Sequence, residues 1–448
     1  MTEREVPRPS APSSEWLESI SSRQRTFFAD RTASLRVLRS RQFRIYFMGC
    51  TASNIGTWLQ TTAQVLYAYR ITHSAFDVGV ISCAQFSGFL TIGPWAASVA
   101  NRLGRKRVLL GTQALSAVVA GGLAAIQIAG RLTESELVLG ALGTGLAFAF
   151  ALPVQTTLAS TLVPEKDRKA ALAMNSVSYN LGRTLAPLLC LGIMASIGSV
   201  WAFALNSMSF IIFFITILIV YTGGAKPEVE RAHAWAGFLI AIRWPRVMLL
   251  LAMVAAITLA DDPILVLGPS VAQRLGVPSI WPAYFLSALG VGTVLGAMIP
   301  IRSVDPLRQA RRAALPLAIL STSIVVFALG LSPLTSLLAA ATAGITGLLT
   351  GSTVQALLLR TVGSRHAMQV MALWAIAWAG SKPIASLADG WLAANLGPVA
   401  AAIVLATPAM MVALPELLLP KKHKDPLKRY MHKINYRAHH RSLQSSVM

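Results

Sequence analysis

Charge is scarce in this chain: only 13% of its 448 residues are Asp, Glu, Lys or Arg, where a soluble globular chain carries about a quarter. Surface helices of a soluble domain need one polar face, and this composition cannot supply enough of them. Cysteine is nearly absent. Cys50, Cys83 and Cys190 all fall in apolar stretches, which excludes a secreted-type disulfide framework and leaves three small packing hydrophobes. No G-x-x-x-x-G-K-[ST] phosphate loop occurs, so this chain does not draw its own energy from ATP. Cys and His residues show no metal-ligand spacing, and His423, His432, His439 and His440 lie scattered among the lysines of the tail. No serine or cysteine sits in a nucleophile motif, so the sequence predicts neither an enzyme nor a metal site. The first 42 residues are polar and the first apolar run is too long for a signal-peptide core, which predicts no secretory signal.

What is present in quantity is apolar sequence. Hydrophobic residues make up 54% of the chain and the mean hydropathy is +0.60. Runs long enough to span a bilayer recur along almost the whole length. Apolar runs and their breaks predict transmembrane helices at 43–69, 76–99, 107–129, 134–160, 169–195 and 199–221, then at 244–270, 281–300, 313–331, 334–357, 367–392 and 396–418. The chain thus divides into a basic arm (1–42, partly disordered), a six-helix half (43–221), a charged Gly/Pro-containing linker (222–243), a second six-helix half (244–418) and a basic tail (419–448).

The net charge of +21 invites a nucleic-acid reading, but position decides against it. Of 39 Lys and Arg residues, 34 fall in the arm, the tail or loops on one side of the predicted helices. Only Arg70, Arg131 and Arg274 fall on the other side, and Arg183 and Lys382 lie within spans. This is the positive-inside pattern, which predicts both termini in the cytoplasm and an even number of crossings. The expected partners are the lipid bilayer, with anionic headgroups at the two basic ends, and a small-molecule substrate; a monomer is expected.

The two halves echo each other. QTTLASTLVPEKDRKAALAMNSVSYNLGRTLAP begins at Gln155, and QALLLRTVGSRHAMQVMALWAIAWAGSKPIA begins at Gln355. Each leads from an even helix through a short loop into an odd helix carrying a Gly and then a Pro. Paired repeats of this kind build alternating-access carriers, with the substrate near mid-membrane at the repeat interface.

The loop GPWAASVANRLGRKRVLL contains Gly93, Pro94, Asn101, Arg102, Gly104, Arg105, Lys106 and Arg107. It resembles the signature between the second and third helices of the major facilitator superfamily. The passages FRIYFMGCTASNIGTWLQTTAQVLYAYRITHSAFDVGVISCAQF and PVQTTLASTLVPEKDRKAALAMNS resemble its branch of enterobactin exporters and macrolide efflux proteins, the transmembrane secretion effectors. The resemblance spans roughly residues 36–420. It implies an all-α membrane protein with the major facilitator fold, twelve helices in two pseudo-symmetric halves. It also implies export of a siderophore, macrolide or similar metabolite by alternating access in the inner membrane, driven by the proton gradient without a bound cofactor. In the family the signature loop forms a cytoplasmic gate held by an ion-pair latch. Ala97 and Asn101 stand here where that signature carries a Gly and an acid, so the charged pairing is lost and Asn101 leaves room only for a hydrogen bond. Asp305, near Arg308, Arg311 and Arg312, offers either surviving latch chemistry or solvated topogenic charge.

Ionisable residues within spans cost about 2.5–3.5 kcal/mol at a helix centre on insertion scales, so they face cavities or partners. Asp261, Asp262 and Lys382 are the candidate proton-coupling groups. Asp261 and Lys382 each lie about 15 residues, or about 22 Å, into their helices. In the resembled fold the seventh and eleventh helices are neighbours, so Lys382 is expected to pair with one of the two acids. Adjacent helical residues point about 100° apart, which leaves the other acid to face the cavity. A permanent structural ion pair, or acids in a shortened helix before Pro263, is the alternative. Asp389 is expected at the outer interface. Candidate substrate-cavity residues are Asn54, Trp58, Gln60, Gln64, Gln85, Gln155, Asn175, Asn180 and Arg183. Trp58 offers a stacking surface and Arg183 a planar anion fork; interhelical hydrogen bonding is the alternative for each polar residue. Transport direction is open on residue chemistry alone: a proton-coupled importer, or a transport-inactive sensor or scaffold, shares the same pattern.

Overall fold

The computed structural model describes residues 36–220, 243–299 and 306–418. The predicted arm up to residue 35, the linker over 221–242, Asp305 and the tail from 419 lie outside the described residues. Everything regular in the described part is helical: α1 (Arg41–Thr72), α2 (Ala75–Thr91), α3 (Gly93–Leu103), α4 (Arg105–Ile128), α5 (Glu134–Thr161), α6 (Arg168–Ser196) and α7 (Val200–Ile219), then α8 (Pro245–Asp261), α9 (Pro263–Val266), α10 (Gly268–Arg274), α11 (Trp281–Met298), α12 (Pro306–Leu329), α13 (Pro333–Ala379), α14 (Ser381–Leu396) and α15 (Pro398–Leu418).

Local chemistry sets the boundaries. The Ser40 and Ser74 hydroxyls accept from the amides of Phe43 and Asp77 and start α1 and α2. Ser332 and Thr335 cap each other at the start of α13. Gly104, at φ 92°, separates α3 from α4 in a conformation that side chains avoid. The predicted seventh span is broken into α8, α9 and α10, with a proline in the first turn of each short piece (Pro263, Pro269), which cannot continue the preceding hydrogen-bond ladder.

Each of the twelve predicted spans overlaps helical backbone among the described residues. By length and composition, eight helices among the described residues are apolar enough to cross a membrane. Missing from that set are α1, α6 and α14, and α2 is apolar but short. These are the helices that carry most of the polar site. The helical run of α13 covers 47 residues, about 70 Å if straight, far beyond a hydrocarbon core of about 30 Å. Its first part runs parallel to α11, with Gly292 beside Ala341 and Gly296 beside Ile345, whereas α14 runs antiparallel to α2, with Gly79 beside Gly390 and Leu90 beside Gly380. Because α2 and α11 point the same way, the chain reverses inside α13, which therefore supplies the tenth span and the start of the eleventh.

The halves repeat each other in packing. In the first, α4 lies on α7, and α2 crosses α5; in the second, α12 lies on α15, and α11 crosses α13. Each crossing brings backbones together at a glycine: a Cβ on Gly145 would collide with the Gln85 carbonyl, and one on Gly344 with the Leu289 carbonyl. Both described chain ends lie at one end of the bundle, the terminal end. The α1–α2 turn and α10 lie at the opposite, far end.

Candidate functional site

The polar residues of α1 turn inward, into the first half. Asn54 donates from Nδ2 to Ser178 of α6 at 2.9 Å, and Gln60 accepts from Asn206 of α7 at 2.7 Å. Gln64 donates to the Leu137 carbonyl at 3.3 Å, and Gln85 of α2 donates to Thr61 at 2.6 Å. Tyr46 donates to the Gln155 carbonyl at 2.8 Å and to Asn175 Oδ1 at 3.2 Å. Asn54, Trp58, Gln60, Gln85 and Gln155, with Gln113, Ser116 and Thr144, line a cavity of about 30 Å³, room for a water-sized group and no more. Gln64, Asn175, Asn180 and Arg183 lie outside that lining. Asn180 donates to the Ser176 carbonyl of its own helix.

Trp58 and Arg183 face the second half. A chain of ring contacts leads from Phe89 to Phe148 (5.5 Å), to Tyr179 (6.4 Å), to Trp378 (6.2 Å) and to Trp374 (6.0 Å), crossing from α2, α5 and α6 to α13. Trp58 meets Tyr179 edge-on at 5.8 Å, and the Arg183 guanidinium lies 5.9 Å over the Trp58 ring. Sequence reasoning picked only Trp58 from this arch. The i, i+4 spacing of Trp374 and Trp378 was its readable signal. The indole Nε1–H of Trp374 is buried and has no hydrogen-bond partner among the described residues.

The two acids at the end of α8 part ways. Asp261 accepts from Arg183 Nη2 at 2.5 Å, a pair that joins α6 of the first half to α8 of the second. Asp262 sits 3.3 Å from Lys382 Nζ and accepts from Ser386 Oγ at 2.5 Å. The Lys382 ammonium also lies 5.0 Å over the Phe86 ring of α2, so it too reaches across the halves. Asp262 has a side-chain exposure of 0%, against 14% for Asp261. One pair is sealed and the other borders the cleft. The α8–α9 break at Pro263 does not lift the acids out of the bundle.

Asp389 departs from its expected interfacial place: it is 0% exposed. A depth estimate along one helix cannot see that α14 is covered by α2, packed backbone to backbone at Gly79 and Gly390.

At the terminal end, Gly93 opens α3 and Asn101 lies in it, its side chain outside the described residues. Arg102 is exposed and Arg105 half-buried. Lys106 donates to the carbonyls of Leu218 (3.1 Å) and Val220 (2.8 Å), at the C-terminus of α7. Arg311 repeats this in the second half, donating to Glu416 (3.2 Å) and Leu417 (2.8 Å) at the end of α15. Cations at helix C-termini satisfy orphan carbonyls and complement the helix dipole. Both contacts, and the Arg36–Asp167 pair at 2.7 Å, stay within one half.

A multi-pass bundle with twinned halves and an ion pair across its cleft is that of a membrane transporter of the major facilitator type. The family model described as transmembrane secretion effector matches residues 32–433, and the chain belongs to that family. It is similar to the enterobactin exporters EntS of Salmonella typhi and Salmonella typhimurium, with 25% identity over 263 residues, 57% of this chain and 62% of theirs. The match thus spans under two thirds of those relatives. In fold it is similar to the nucleoside transporter NupG (TM-score 0.66, 12% identity, 84% of this chain and 98% of that one). It is also similar to a D-xylose–proton symporter (TM-score 0.64, 16% identity, 84% and 98%). A third likeness is to a bacterial homologue of the lysosomal transporter Spinster, inward-facing and occupied (TM-score 0.61, 15% identity, 85% and 95%).

Proposed function

We propose that this chain exports a small molecule across the bacterial inner membrane by alternating access, in exchange for protons, with both termini in the cytoplasm. The observation that carries the reading is the pair of acids at the end of α8, Asp261 its last residue and Asp262 the next. Arg183 of one half holds Asp261, and Lys382 holds Asp262. Opposite charge stabilises an ionised acid, and loss of that partner disfavours it. Rocking of the halves that separates Arg183 from Asp261 would thus break and remake this ion pair in step with access. Export is supported by the similarity to the EntS exporters, and the orientation by the 34 basic residues on one side. No bound cofactor is required. The aromatic arch beside Arg183 suits a flat, largely apolar molecule with an acidic group, and Trp374 Nε1–H adds a donor. The polar cavity of the first half is too small for such a molecule.

Inside-out membrane vesicles with an acid interior test the reading, with enterobactin, erythromycin and ethidium as probes. Accumulation of a probe supports export by antiport. Accumulation only under the opposite gradient means import, and no flux of any probe favours a sensor or scaffold. Unchanged gradient-driven export in both Asp261→Asn and Asp262→Asn would remove the coupling role from these acids.

A further inference from the structure

Asp389 is buried, and neither of its carboxylate oxygens has a hydrogen-bond partner among the described residues. Asp262, equally buried, takes both Lys382 and Ser386. The contrast is pointed because Lys382, Ser386 and Asp389 recur on α14 at i, i+4 and i+7 and so share one face. Two of the three meet Asp262, and Asp389 stands one turn further toward the far end.

The setting of Asp389 is a seam between the halves. A Cβ on Gly79 of α2 would lie 2.5 Å from the Ser386 carbonyl oxygen, and one on Gly390 would lie 2.8 Å from the Ala75 carbonyl oxygen. Backbone therefore meets backbone on both sides of Asp389, with no room for water. Alternating access at the far end moves the halves apart, and α2 and α14 belong to different halves. Opening that seam would hydrate Asp389 and closing it would strip the water away. The other titratable groups on the elements packed around α14 are Arg246 in the first turn of α8, at the terminal end, Asp261 and Asp262 at the end of α8, Lys382 of α14 itself, and Asp77 and Cys83 of α2. The short α9, the last turns of α13, and α15 up to Glu416 at its terminal end contribute none.

We propose that Asp389 is a proton-carrying carboxyl of the far-end gate, loaded from far-side water while the α2–α14 seam is open and carried as the neutral acid into the closed state. The step is a plain transfer: a hydronium ion gives its proton to the carboxylate and leaves as water. A carboxylate sealed without a partner loses its hydration and gains nothing in return, so the seam closes on the acid form and an unloaded carrier stays open. That ties the return stroke to proton entry, which is what antiport needs. Ser386, one turn nearer the terminal end on the same face and hydrogen-bonded to Asp262, is the next polar group along α14. The proposal rests on the antiport reading above.

The test uses the full chain in lipid nanodiscs, comparing infrared pH-difference spectra of the wild type and Asp389→Asn. A carboxylic-acid C=O band present in the wild type and lost in the variant is expected; spectra with the same acid band overturn the proposal. In inside-out vesicles, with whichever of the three probes the wild type moves, Asp389→Asn should lose accumulation driven by the acid interior. It should keep probe exchange at equal pH, because the amide imitates a permanently loaded acid, and Asp389→Glu should restore part of the driven accumulation. Driven accumulation equal to wild type in Asp389→Asn also overturns the proposal. Should Asp389→Asn fail to fold, Asp389→Ser removes the same carboxyl. A wild type that accumulates no probe under any gradient sinks the antiport reading instead, and the infrared comparison still decides whether Asp389 holds a proton.

Discussion

The two halves share a fold and solve polarity differently. The first half buries neutral amides and hydroxyls: Asn54, Gln60, Gln64, Gln85 and Asn206 satisfy one another and their neighbours. The second half buries ionisable groups: Asp262, Lys382 and Asp389 lie between the end of α8 and α14, among helices otherwise rich in Ala, Leu and Val. A neutral network, once satisfied, needs no change of state to stay buried. Buried charge persists only while its partner is in place. The first half thus reads as a stiff body and the second as the part whose internal balance depends on protonation, with Arg183 the cation the first half lends across the cleft.

That contrast is open to attack. The largest effect is expected from breaking the sealed pair: Lys382→Met leaves Asp262 buried without its cation and should destabilise the protein by about 3–5 kcal/mol. Thermal unfolding in detergent reads this, and the added Asp262→Asn change should recover most of the loss; equal loss in both would mean that the pair is not the stabilising unit. A smaller effect is expected in the neutral half, where Gln60→Leu strands the Asn206 amide and should cost about 1–3 kcal/mol. If Gln60→Leu proved as damaging as Lys382→Met, the distinction between the halves would collapse. The smallest is expected at Arg183→Gln. Its pair with Asp261 borders the cleft, so stability should fall by about 1 kcal/mol or less. The effect should instead appear as looser far-end closure, read by spin-label distances between α2 and α14.

Much of the fold was legible because it follows from composition. Twenty-residue apolar runs and one-sided basic loops place the spans before any packing is known. The breaks inside spans were less so. Pro263 and Pro269 are visible in the sequence, yet only the bundle shows that the backbone they release is buried as three short helices. The reversal within α13 was predicted as a loop between 357 and 367, but helical backbone continues through it. In the site, the choice of Asp261, Asp262 and Lys382 as notable residues came from their rarity in apolar surroundings. Which acid meets which cation did not, since adjacent residues on one helix look alike in sequence and differ only by the 100° between them. Arg183 as the partner of Asp261 joins residues 78 apart in the chain, a contact no periodicity announces.

The sequence by itself determined the membrane, the two-fold repeat and the sidedness it predicts, because these depend on how many apolar residues stand in a row and where the cations fall. Tertiary structure alone decided which polar residues face each other. Asn54, Gln60, Gln85 and Gln155 turn into one half, Arg183 crosses to the other, and Asp389 lies under α2 instead of at the interface. The reason is that helix rotation and crossing are fixed by packing, glycine against carbonyl at Gly145, Gly344 and Gly79, and a single chain read in order carries no measure of that rotation.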